Sequence, residues 1–501
     1  MDSILQTSAL QSRRAGIVAL TIAAALFVAA QISIDSINGW WLDEQFSLWA
    51  TDTSLPIRKA FAERIGPDSN PPLYFSVLYA ARLLIADDRL AILALNICFI
   101  LLSATAVLLA SRKSGMVNAA IVAIIAFVLS GPVLTYAPEG RSYLASLAIV
   151  FCASWFAVLA VCGPERRHSV LPFAVFGILA ALAHVFAALF CGALAGGLLA
   201  LAIVDRSRRD LAAPALVLGL STSVTFAAWL LMALSSLGNI GWIEFSFQDI
   251  RVAVWFVRKL AVGGIVAVLL LAVLLLFGFA RTATRPITLV FGVTFALYVL
   301  LPLIASLKQP IIAGRYWMIG APALPVLIVA LAAIWYREAR DTRENHAPLY
   351  ALGAAGMLAV ISGVSGFLTA REFTAAKPTW KGAAVVRPLL KECPNGSVHV
   401  AADEITKPLP GPFIASFARL ANVPSTLLVD VGNAQTPLLS PDDARCPVLA
   451  WAEHVRLGDN FLTQVPDAEL LRLTKINASP KDVEIRRHQS GFVVLKRRAG
   501  G

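Results

Sequence analysis

Long apolar runs separated by short basic clusters organise this chain. A helix that crosses a bilayer needs about 20 mostly apolar residues. One apolar run, 169–204, is too long for a single crossing of the bilayer and has arginines on both flanks. It therefore predicts a helical hairpin that turns near His184. Together with this hairpin, nine runs of suitable length predict about eleven transmembrane helices: 16–34, 90–110, 115–136, 142–163, 212–237, 260–280, 286–307, 316–335 and 348–369.

The basic clusters predict the orientation, because cytoplasmic loops carry an excess of Lys and Arg. All of the basic clusters fall on the same side of the membrane if the segment 71–86 does not cross the bilayer. This segment is short, starts with two prolines and contains Arg82, which favours an interfacial or re-entrant helix. Residues 35–89 then form one outer loop, and the apolar spacing in 54–66 predicts a second interfacial helix within it. The clusters assigned to the cytoplasm are Arg13-Arg14, Arg112-Lys113, Arg166-Arg167 and the arginines in 206–209, 281–285 and 337–343.

Composition supports a membrane protein and excludes other classes. The 501 residues are 58% hydrophobic and 15% charged, with a mean hydropathy of +0.73, whereas soluble domains carry about 25% charged residues. The net charge of +11 lies largely in the loop clusters, so it does not indicate nucleic-acid binding.

The tail from residue 371 is more polar than the rest and predicts a small α/β domain. An amphipathic helix is expected at 378–393, strands at 397–402, 424–431 and 447–452, and a hairpin at 484–498. We therefore predict two domains, a transmembrane domain at 1–370 and an extracytoplasmic domain at 371–501. Cys393 and Cys446 lie in this tail, and the sequence allows either a disulfide between them or two free thiols.

The outer face collects acids and cations. Asp43 and Glu44 follow two tryptophans, which favour the membrane interface. This mixture suits the transfer of a group from a lipid-linked phosphate to a hydroxyl: a carboxylate takes the acceptor's proton, and cations stabilise charge on the departing phosphate. The other charged or titratable candidates on this face are Glu139, Arg141, His184, Lys308 and Arg315.

Each candidate also has a simpler interpretation. Asp43 and Glu44 fit solvated loop acids, although their position after the first span favours function. Arg141 fits equally a ligand-binding cation and an arginine that reaches towards lipid head groups. Lys308 and Arg315 flank one short loop, which favours phosphate binding, whereas His184 is more typical of a hydrogen-bonded structural group.

Several short motifs resemble those of the GT-C glycosyltransferases, which include protein O-mannosyltransferases and lipid A aminoarabinose transferases. The resemblance covers residues 1–390 and depends on the order of the motifs and their shared outer face. Besides Asp43-Glu44 in the first outer loop, the motifs are Asn70-Pro71-Pro72-Leu73-Tyr74-Phe75, Glu139-Gly140-Arg141-Ser142-Tyr143, Ala183-His184-Val185-Phe186, Gly314-Arg315-Tyr316-Trp317 with Pro322, and Lys377-Pro378-Thr379-Trp380-Lys381-Gly382-Ala383-Ala384.

The resemblance implies a polyprenyl-phosphate-sugar donor, inverting transfer and an outward-facing site. It places Asp43 as catalytic base, with Glu44 supporting it or contacting the acceptor or a metal. Asn70 stands where relatives often carry His or Lys, and Glu139 stands where some carry Asp. The resemblance therefore leaves open whether the protein uses a divalent metal, and no metal ligand is assigned. Substrate contacts are expected from Asn70, Tyr74, Glu139, Arg141, Tyr143, His184, Lys308, Arg315 and Tyr316.

The sequence thus predicts a polytopic helical glycosyltransferase of a bacterial inner membrane with its site towards the periplasm. The acceptor is lipid A, an envelope polysaccharide or a protein. One alternative is a transporter or flippase of lipid-linked sugars, which the near absence of charges in mid-span disfavours. Another is a ligase of the O-antigen type, whose chemistry is expected on a late loop rather than the first.

Overall fold

The structure is a computed structural model, and most of the helical part of the chain is described. The chain forms two compact units: residues 1–36 with 53–373, and residues 37–52 with 374–501. The described residues are 2–35, 42–68, 70–163, 170–233, 250–251, 254–255, 258, 272–273, 276, 278, 280–308, 314–342, 360, 363–375, 398–402, 428–430, 448–451, 466–473, 479–488 and 491–496.

Helices make up the described part of the first unit. Within these residues, seven helical segments are long and apolar enough to cross a membrane, as expected for a multi-pass membrane protein. The helices are α1 (Asp2–Asp35), α3 (Ile57–Ala60, continued by a π turn, Phe61–Ile65), α4 (Leu73–Leu84), α5 (Asp88–Ser114), α6 (Val117–Val128), α7 (Gly131–Tyr136), α8 (Tyr143–Cys162), α9 (Val170–Ala183), α10 (Val185–Val204), α11 (Ala212–Ala233, after a 3₁₀ turn, Arg206–Leu211), α12 (Arg285–Ser306), α13 (Gly314–Trp317, continued by a 3₁₀ turn, Met318–Gly320), α14 (Ala323–Thr342) and α15 (363–375). Helix α2 (Leu42–Ala50) belongs to the second unit.

Most predicted spans that fall on described residues are helices, and the predicted hairpin in 169–204 turns between α9 and α10 at His184. The predicted span 115–136 differs, because it breaks into α6 and α7. Ser130 has extended backbone before α7, and Pro132 follows in its first turn, where proline is tolerated but cannot continue a preceding helix. The predicted spans 260–280 and 348–369 lie largely outside the described residues.

The outer loop contains the two short helices that the sequence predicted. Helix α4 has 12 residues, which gives a length of about 18 Å, too short to span a bilayer. Arg89 at the start of α5 donates to Asp35 at the end of α1 at 3.0 Å, so these two helix ends lie on the same side. The loop between α1 and α5 therefore begins and ends on the same side of the helices.

Small residues allow the helices to pack closely. A Cβ on Gly197 of α10 would lie 2.4 Å from the Val290 carbonyl oxygen of α12, and a Cβ on Gly177 of α9 would lie 2.1 Å from Ser221 Oγ of α11. Close backbone approach of this kind drives helix association in lipid. Leucines on the outer side of α5 are exposed, such as Leu102 with 68% exposure, and suit contact with lipid.

The far end of α5 belongs to a basic end of the bundle, which we define by Ser114, Gly115, Arg281, Arg337 and Glu338. Arg337 donates to the carbonyl oxygens of Ser114 and Gly115 at 3.3 and 3.4 Å. Arg281 pairs with Glu338 at 3.5 Å. These contacts place three of the predicted cytoplasmic loops at the same end.

The second unit contains helix α2 (Leu42–Ala50), a five-stranded mixed sheet and a short helix, α16 (Asp467–Leu473). The strands are β1 (Val398–Ala402), β2 (Leu428–Asp430), β3 (Val448–Trp451), β4 (Val483–His488) and β5 (Gly491–Lys496). Their order is β2-β1-β3-β5-β4, with β1 parallel to β2 and β3, and β5 antiparallel to β3 and β4.

Strands β1 to β3 lie within the three predicted runs, and the β4–β5 hairpin overlaps the predicted one. The predicted helix 378–393 and both tail cysteines, Cys393 and Cys446, lie outside the described residues. The domain boundary predicted at 370/371 stays a prediction.

Candidate functional site

A sharp turn between α7 and α8 carries three of the predicted site residues. Tyr136 ends α7, Glu139 and Arg141 lie in the turn, and Tyr143 begins α8. The backbone N–H of Glu139 donates to the carbonyl oxygen of Tyr136 at 3.2 Å, which closes the turn. Glu139 is completely buried.

Two buried side chains from other helices hold this turn. Asn96 of α5 donates from its amide nitrogen to the carbonyl oxygens of Ala137 at 2.8 Å and Glu139 at 2.9 Å. The hydroxyl of Tyr74, near the start of α4, donates to the carbonyl oxygen of Glu139 at 3.4 Å. Buried backbone groups in a non-helical turn need such partners, because an unpaired buried carbonyl group costs stability.

Aromatic rings from four elements meet around Tyr143. Its ring centroid lies 4.8 Å from that of Tyr136, 5.7 Å from His184 and 6.4 Å from Tyr316. His184 and Tyr316 are themselves 5.2 Å apart. The starts of α8, α10 and α13 therefore converge with the end of α7 at one place, as the order of the sequence motifs predicted.

His184 occupies the turn between α9 and α10 and caps α10. Its Nδ1 accepts a hydrogen bond from the backbone N–H of Phe186 at 3.1 Å, so the ring proton of the neutral imidazole is on Nε2. Burial, with smaller contributions from the charges of Arg141 and Arg315, lowers the pKa of His184 to about 3. His184 is therefore neutral at physiological pH.

The two cations of the site lie over aromatic rings. The guanidinium carbon of Arg141 is 6.0 Å from the ring centroid of Phe75. That of Arg315 is 5.7 Å from the centroid of its neighbour Tyr316. The Tyr316 ring beside Arg315 lies 5.2 Å from the His184 ring, and the charges of both arginines lower the pKa of His184.

Tyr298 of α12 fixes the position of the α13 segment. Its hydroxyl donates to the carbonyl oxygen of Tyr316 at 3.2 Å. Gly320 packs against the Tyr298 ring, where a Cβ would lie 2.5 Å from Cε1. The close contact of Gly320 with this ring therefore places Arg315 and Tyr316 relative to α12.

The structure thus brings most of the predicted substrate-contacting residues together. We refer to the group as the aromatic–cationic cluster, and it adds Tyr136, which the sequence did not single out. Asn96 was also missed, although a lone Asn in an apolar run needs a partner in the protein and is a usable signal. The members of the cluster are Tyr74, Tyr136, Glu139, Arg141, Tyr143, His184, Arg315 and Tyr316.

Two predicted substrate contacts are not part of this group. Asn70 bonds within its own loop, because both its backbone N–H and its side-chain amide donate to Asp68 Oδ1, at 2.6 and 3.0 Å. Lys308 is exposed beyond the end of α12, and in the part of the chain that the structure describes its side chain pairs with no member of the cluster. Their predicted roles in binding stay predictions.

Asp43 and Glu44 belong to the second unit, in the first turn of α2. The partial positive charge of a helix N-terminus stabilises carboxylates at this position. Ser47 donates to the carbonyl oxygen of Asp43 at 3.0 Å, and Thr51 donates in the same way to Ser47 at 2.7 Å. Glu44 is 1% exposed, whereas Asp43 is partly exposed.

The described residues do not provide a good site for a divalent metal. No three His, Cys, Asp or Glu side chains converge among them. His184 is the imidazole of the cluster, but its Nδ1 is engaged by Phe186, and two arginine charges act at its ring. These charges oppose a cation at Nε2.

Comparison with known proteins identifies the fold. ArnT from Cupriavidus metallidurans in the apo state superposes with a TM-score of 0.57 at 13% identity, over 96% of this chain and 98% of that chain. ArnT bound to undecaprenyl phosphate gives 0.55 at 11% identity, over 95% and 97% of the two chains. This chain shares the fold of these two ArnT structures.

More distant matches add nothing to this assignment. The archaeal oligosaccharyltransferase AglB from Archaeoglobus fulgidus, in complex with an inhibitory peptide and a dolichol-phosphate, matches at a TM-score of 0.45 and 10% identity, over 86% of this chain and 69% of that chain. No family model and no curated protein sequence matches. The GT-C fold predicted from the motifs is therefore confirmed by structure at very low sequence identity.

Proposed function

We propose that this protein is a membrane glycosyltransferase that moves a sugar from a polyprenyl-phosphate-linked donor to an exported acceptor. The observation that carries the proposal is the GT-C fold over nearly the whole chain, shared with ArnT, which has been solved with undecaprenyl phosphate. The acceptor is lipid A, an envelope polysaccharide or a protein, and the site faces the periplasm of a bacterial inner membrane.

The aromatic–cationic cluster supports this function chemically. Transfer from a phosphate-linked sugar places negative charge on the departing phosphate, and the partly buried Arg141 and Arg315 supply positive charge. Aromatic rings such as Tyr143 and Tyr316 offer flat apolar surface beside those cations. A phosphate is already a good leaving group, so protonation of the leaving oxygen is not required.

Asp43 is proposed as the general base that takes the proton of the attacking acceptor hydroxyl. It follows the first span, stands in the first turn of a helix and is partly exposed, with its Oδ2 atom buried. Glu44, buried next to it, is proposed to support it or to contact the acceptor. Transfer with one base and a phosphate leaving group inverts the sugar configuration, because the acceptor attacks opposite the phosphate.

Two measurements test the function. In cells, envelope glycans with and without this chain are compared by mass spectrometry, and the expected result is loss of one hexose, pentose or uronic acid. In proteoliposomes with a polyprenyl-phosphate sugar, the purified protein is expected to release polyprenyl phosphate only when acceptor is present. Movement of the intact lipid-linked sugar between leaflets without release would instead support a flippase.

A further inference from the structure

Three buried side chains from three different helices donate hydrogen bonds to the carbonyl end of α7 and to the turn that follows it. Gln31 of α1 donates from Nε2 to the carbonyl oxygen of Leu134 at 3.1 Å. Asn96 of α5 and Tyr74 of α4 donate to carbonyl oxygens of the turn itself. The last carbonyl groups of a helix have no partners within it, so these three side chains cap α7 from outside. We refer to Gln31, Tyr74 and Asn96 as the α7 clasp.

Helix α7 is a short element that needs support from its neighbours. It has six residues, which is fewer than two helical turns. Ser130 before it has extended backbone, and Pro132 lies in its first turn, so α6 does not continue into it. Short helices are marginal on their own. The position of α7 is therefore set by packing and by the hydrogen bonds from α1, α4 and α5.

The two amides of the clasp are not explained by stability alone. Gln31 is 6% exposed and Asn96 is completely buried. Within the described residues, neither Gln31 Oε1 nor Asn96 Oδ1 has a hydrogen-bond partner. A buried acceptor without a donor is destabilising, and an apolar side chain at either position would not carry one. Polar groups inside membrane helices commonly mark function, which favours a functional reason for both amides.

The turn that the clasp holds leads directly into the aromatic–cationic cluster. The last clasped carbonyl oxygen is that of Glu139, and Arg141 follows two residues later. The guanidinium carbon of Arg141 lies 6.0 Å from the ring centroid of Phe75, which is the neighbour of Tyr74 in α4. Helix α4 thus contacts this turn through a hydroxyl and through a ring. A shift of α7 would move Arg141 relative to both.

We propose that Gln31 is a positioning residue for sugar transfer, which acts with Asn96 and Tyr74 to hold α7 so that Arg141 keeps its place in the cluster. The inference rests on the proposed function, from which Arg141 takes its role. Gln31 contacts no substrate in this proposal, because it acts through the backbone of α7. It gives a function to a polar side chain of the first span that belongs to none of the sequence motifs.

The test uses variants that release α7 and one that does not. Gln31→Met and Asn96→Leu replace each amide by an apolar side chain of similar size, and Tyr74→Phe removes a hydroxyl from the same clasp in case an amide variant fails to fold. Thr135→Val is the matched control. Thr135 is completely buried in α7, but its hydroxyl donates to the Gly131 carbonyl oxygen at 2.7 Å, within the same helix. This control removes a buried hydrogen bond without releasing α7 from its neighbours.

Hydrogen exchange of the full-length protein in nanodiscs, followed by mass spectrometry, measures whether the clasp holds the turn. We expect peptides that cover residues 134–142 to exchange about tenfold faster in Gln31→Met and Asn96→Leu, because local opening is easier once these hydrogen bonds are lost. Tyr74→Phe is expected to change exchange in the same direction but less, since its bond is longer. Thr135→Val should exchange as wild type in this segment, and peptides from α9 and α10 should be unchanged in every variant.

Steady-state sugar transfer in proteoliposomes measures whether the position of α7 matters for the reaction. We expect kcat to fall about tenfold in Gln31→Met and further in Asn96→Leu, with the KM for the acceptor unchanged, because a misplacement of about 1 Å can slow a reaction up to about a hundredfold. The double variant should lose less than the product of the two single losses, since both amides act on one element. Thr135→Val should stay within about twofold of wild type.

The outcomes separate this inference from the proposed function. Faster exchange confined to residues 134–142 together with a lower kcat supports it. Wild-type exchange of this segment in both amide variants overturns it, whatever the rate of transfer. Faster exchange throughout the bundle, or faster local exchange with wild-type transfer, also overturns it, because Gln31 would then serve stability or local order alone. A wild type that transfers no sugar refutes the proposed function, while the exchange data still decide whether the clasp holds the turn.

Discussion

The two ends of helix α5 use arginines in different ways. At the basic end, Arg281 pairs with Glu338 at 3.5 Å, with side chains that are 39% and 34% exposed, and Arg337 is exposed and bonds to backbone carbonyls. Rings lie beside arginines at both ends, since Arg281 is 5.5 Å from the centroid of Trp335. At the other end, the charges of Arg141 and Arg315 instead act on a buried histidine, His184. Exposed pairs contribute little to stability, so the first set suits topology and the second suits a ligand.

This contrast shows why charge counts alone do not locate a site in a membrane protein. Both ends carry arginines next to apolar helices, and both look alike in the sequence. They differ in what the guanidinium groups lie beside. Arg281 lies over the Trp335 ring at 5.5 Å but pairs with the carboxylate of Glu338, whereas Arg141 and Arg315 lower the pKa of the buried His184. The following predictions compare matched positions at the two ends.

The largest difference is expected between Arg315→Ala and Arg337→Ala. Removing the cation from the cluster should lower the rate of sugar transfer about a hundredfold, as loss of one charge-stabilising donor does in other enzymes. Arg337→Ala should leave the rate within about twofold of wild type, because an exposed arginine of this kind contributes little. Transfer rates in proteoliposomes at equal protein content measure both. Equal losses in the two variants would mean that the ends do not differ in function.

A smaller difference is expected between Asn96→Ala and Ser111→Ala on the same helix. Asn96 holds the carbonyl oxygens of Ala137 and Glu139, while Ser111 Oγ accepts from Trp155 Nε1 at 2.8 Å. Each change leaves buried groups without a partner and should cost about 1–3 kcal/mol of stability. Thermal unfolding should therefore fall in both, but only Asn96→Ala should also slow transfer. Normal transfer by Asn96→Ala would show that the α7–α8 turn does not need this support.

The smallest effect concerns pH. Because the pKa of His184 is lowered to about 3, the histidine is neutral from pH 5 to 8, and His184→Asn should reduce transfer without changing the shape of its pH profile. The folded-state pKa is below the usual value of 6.5, so the stabilising contribution is complete above pH 6.5 and is lost as the pH falls towards 3. Thermal unfolding between pH 7 and 4 should therefore drop more in wild type than in His184→Asn. If the pH profile of transfer shows an ionisation near pH 6 in the wild type that is lost in His184→Asn, this would contradict the assignment of His184 as neutral.

Much of the fold follows from the sequence because membrane helices depend on the length and apolarity of single runs. The length of 71–86 and its two prolines predicted the short helix α4. The break in 115–136 was missed, since Gly131 and Pro132 interrupt an otherwise continuous apolar run. In the site, the order of motifs predicted that Glu139, Arg141, His184 and Arg315 lie on one face.

Other features of the site could not be predicted, because hydrogen-bond partners are a property of three-dimensional structure. Asn70 is adjacent in sequence to the Pro-Pro motif and donates to Asp68 within the loop, while its role in binding stays a prediction. Tyr136 ends an apolar run and looks like a core aromatic residue until its hydroxyl is found without an acceptor among the described residues. Spacing along the chain contains no information about either outcome.

The most direct test of the account is sugar transfer by Asp43→Asn beside Asp35→Asn in proteoliposomes that contain the polyprenyl-phosphate sugar. Both changes remove one carboxylate at or after the end of the first span, but Asp35 forms an exposed pair with Arg89 and no other pair within the described residues. The account predicts that Asp43→Asn binds polyprenyl phosphate normally and transfers no sugar, while Asp35→Asn transfers at the wild-type rate. Full transfer by Asp43→Asn would contradict the assignment of the base.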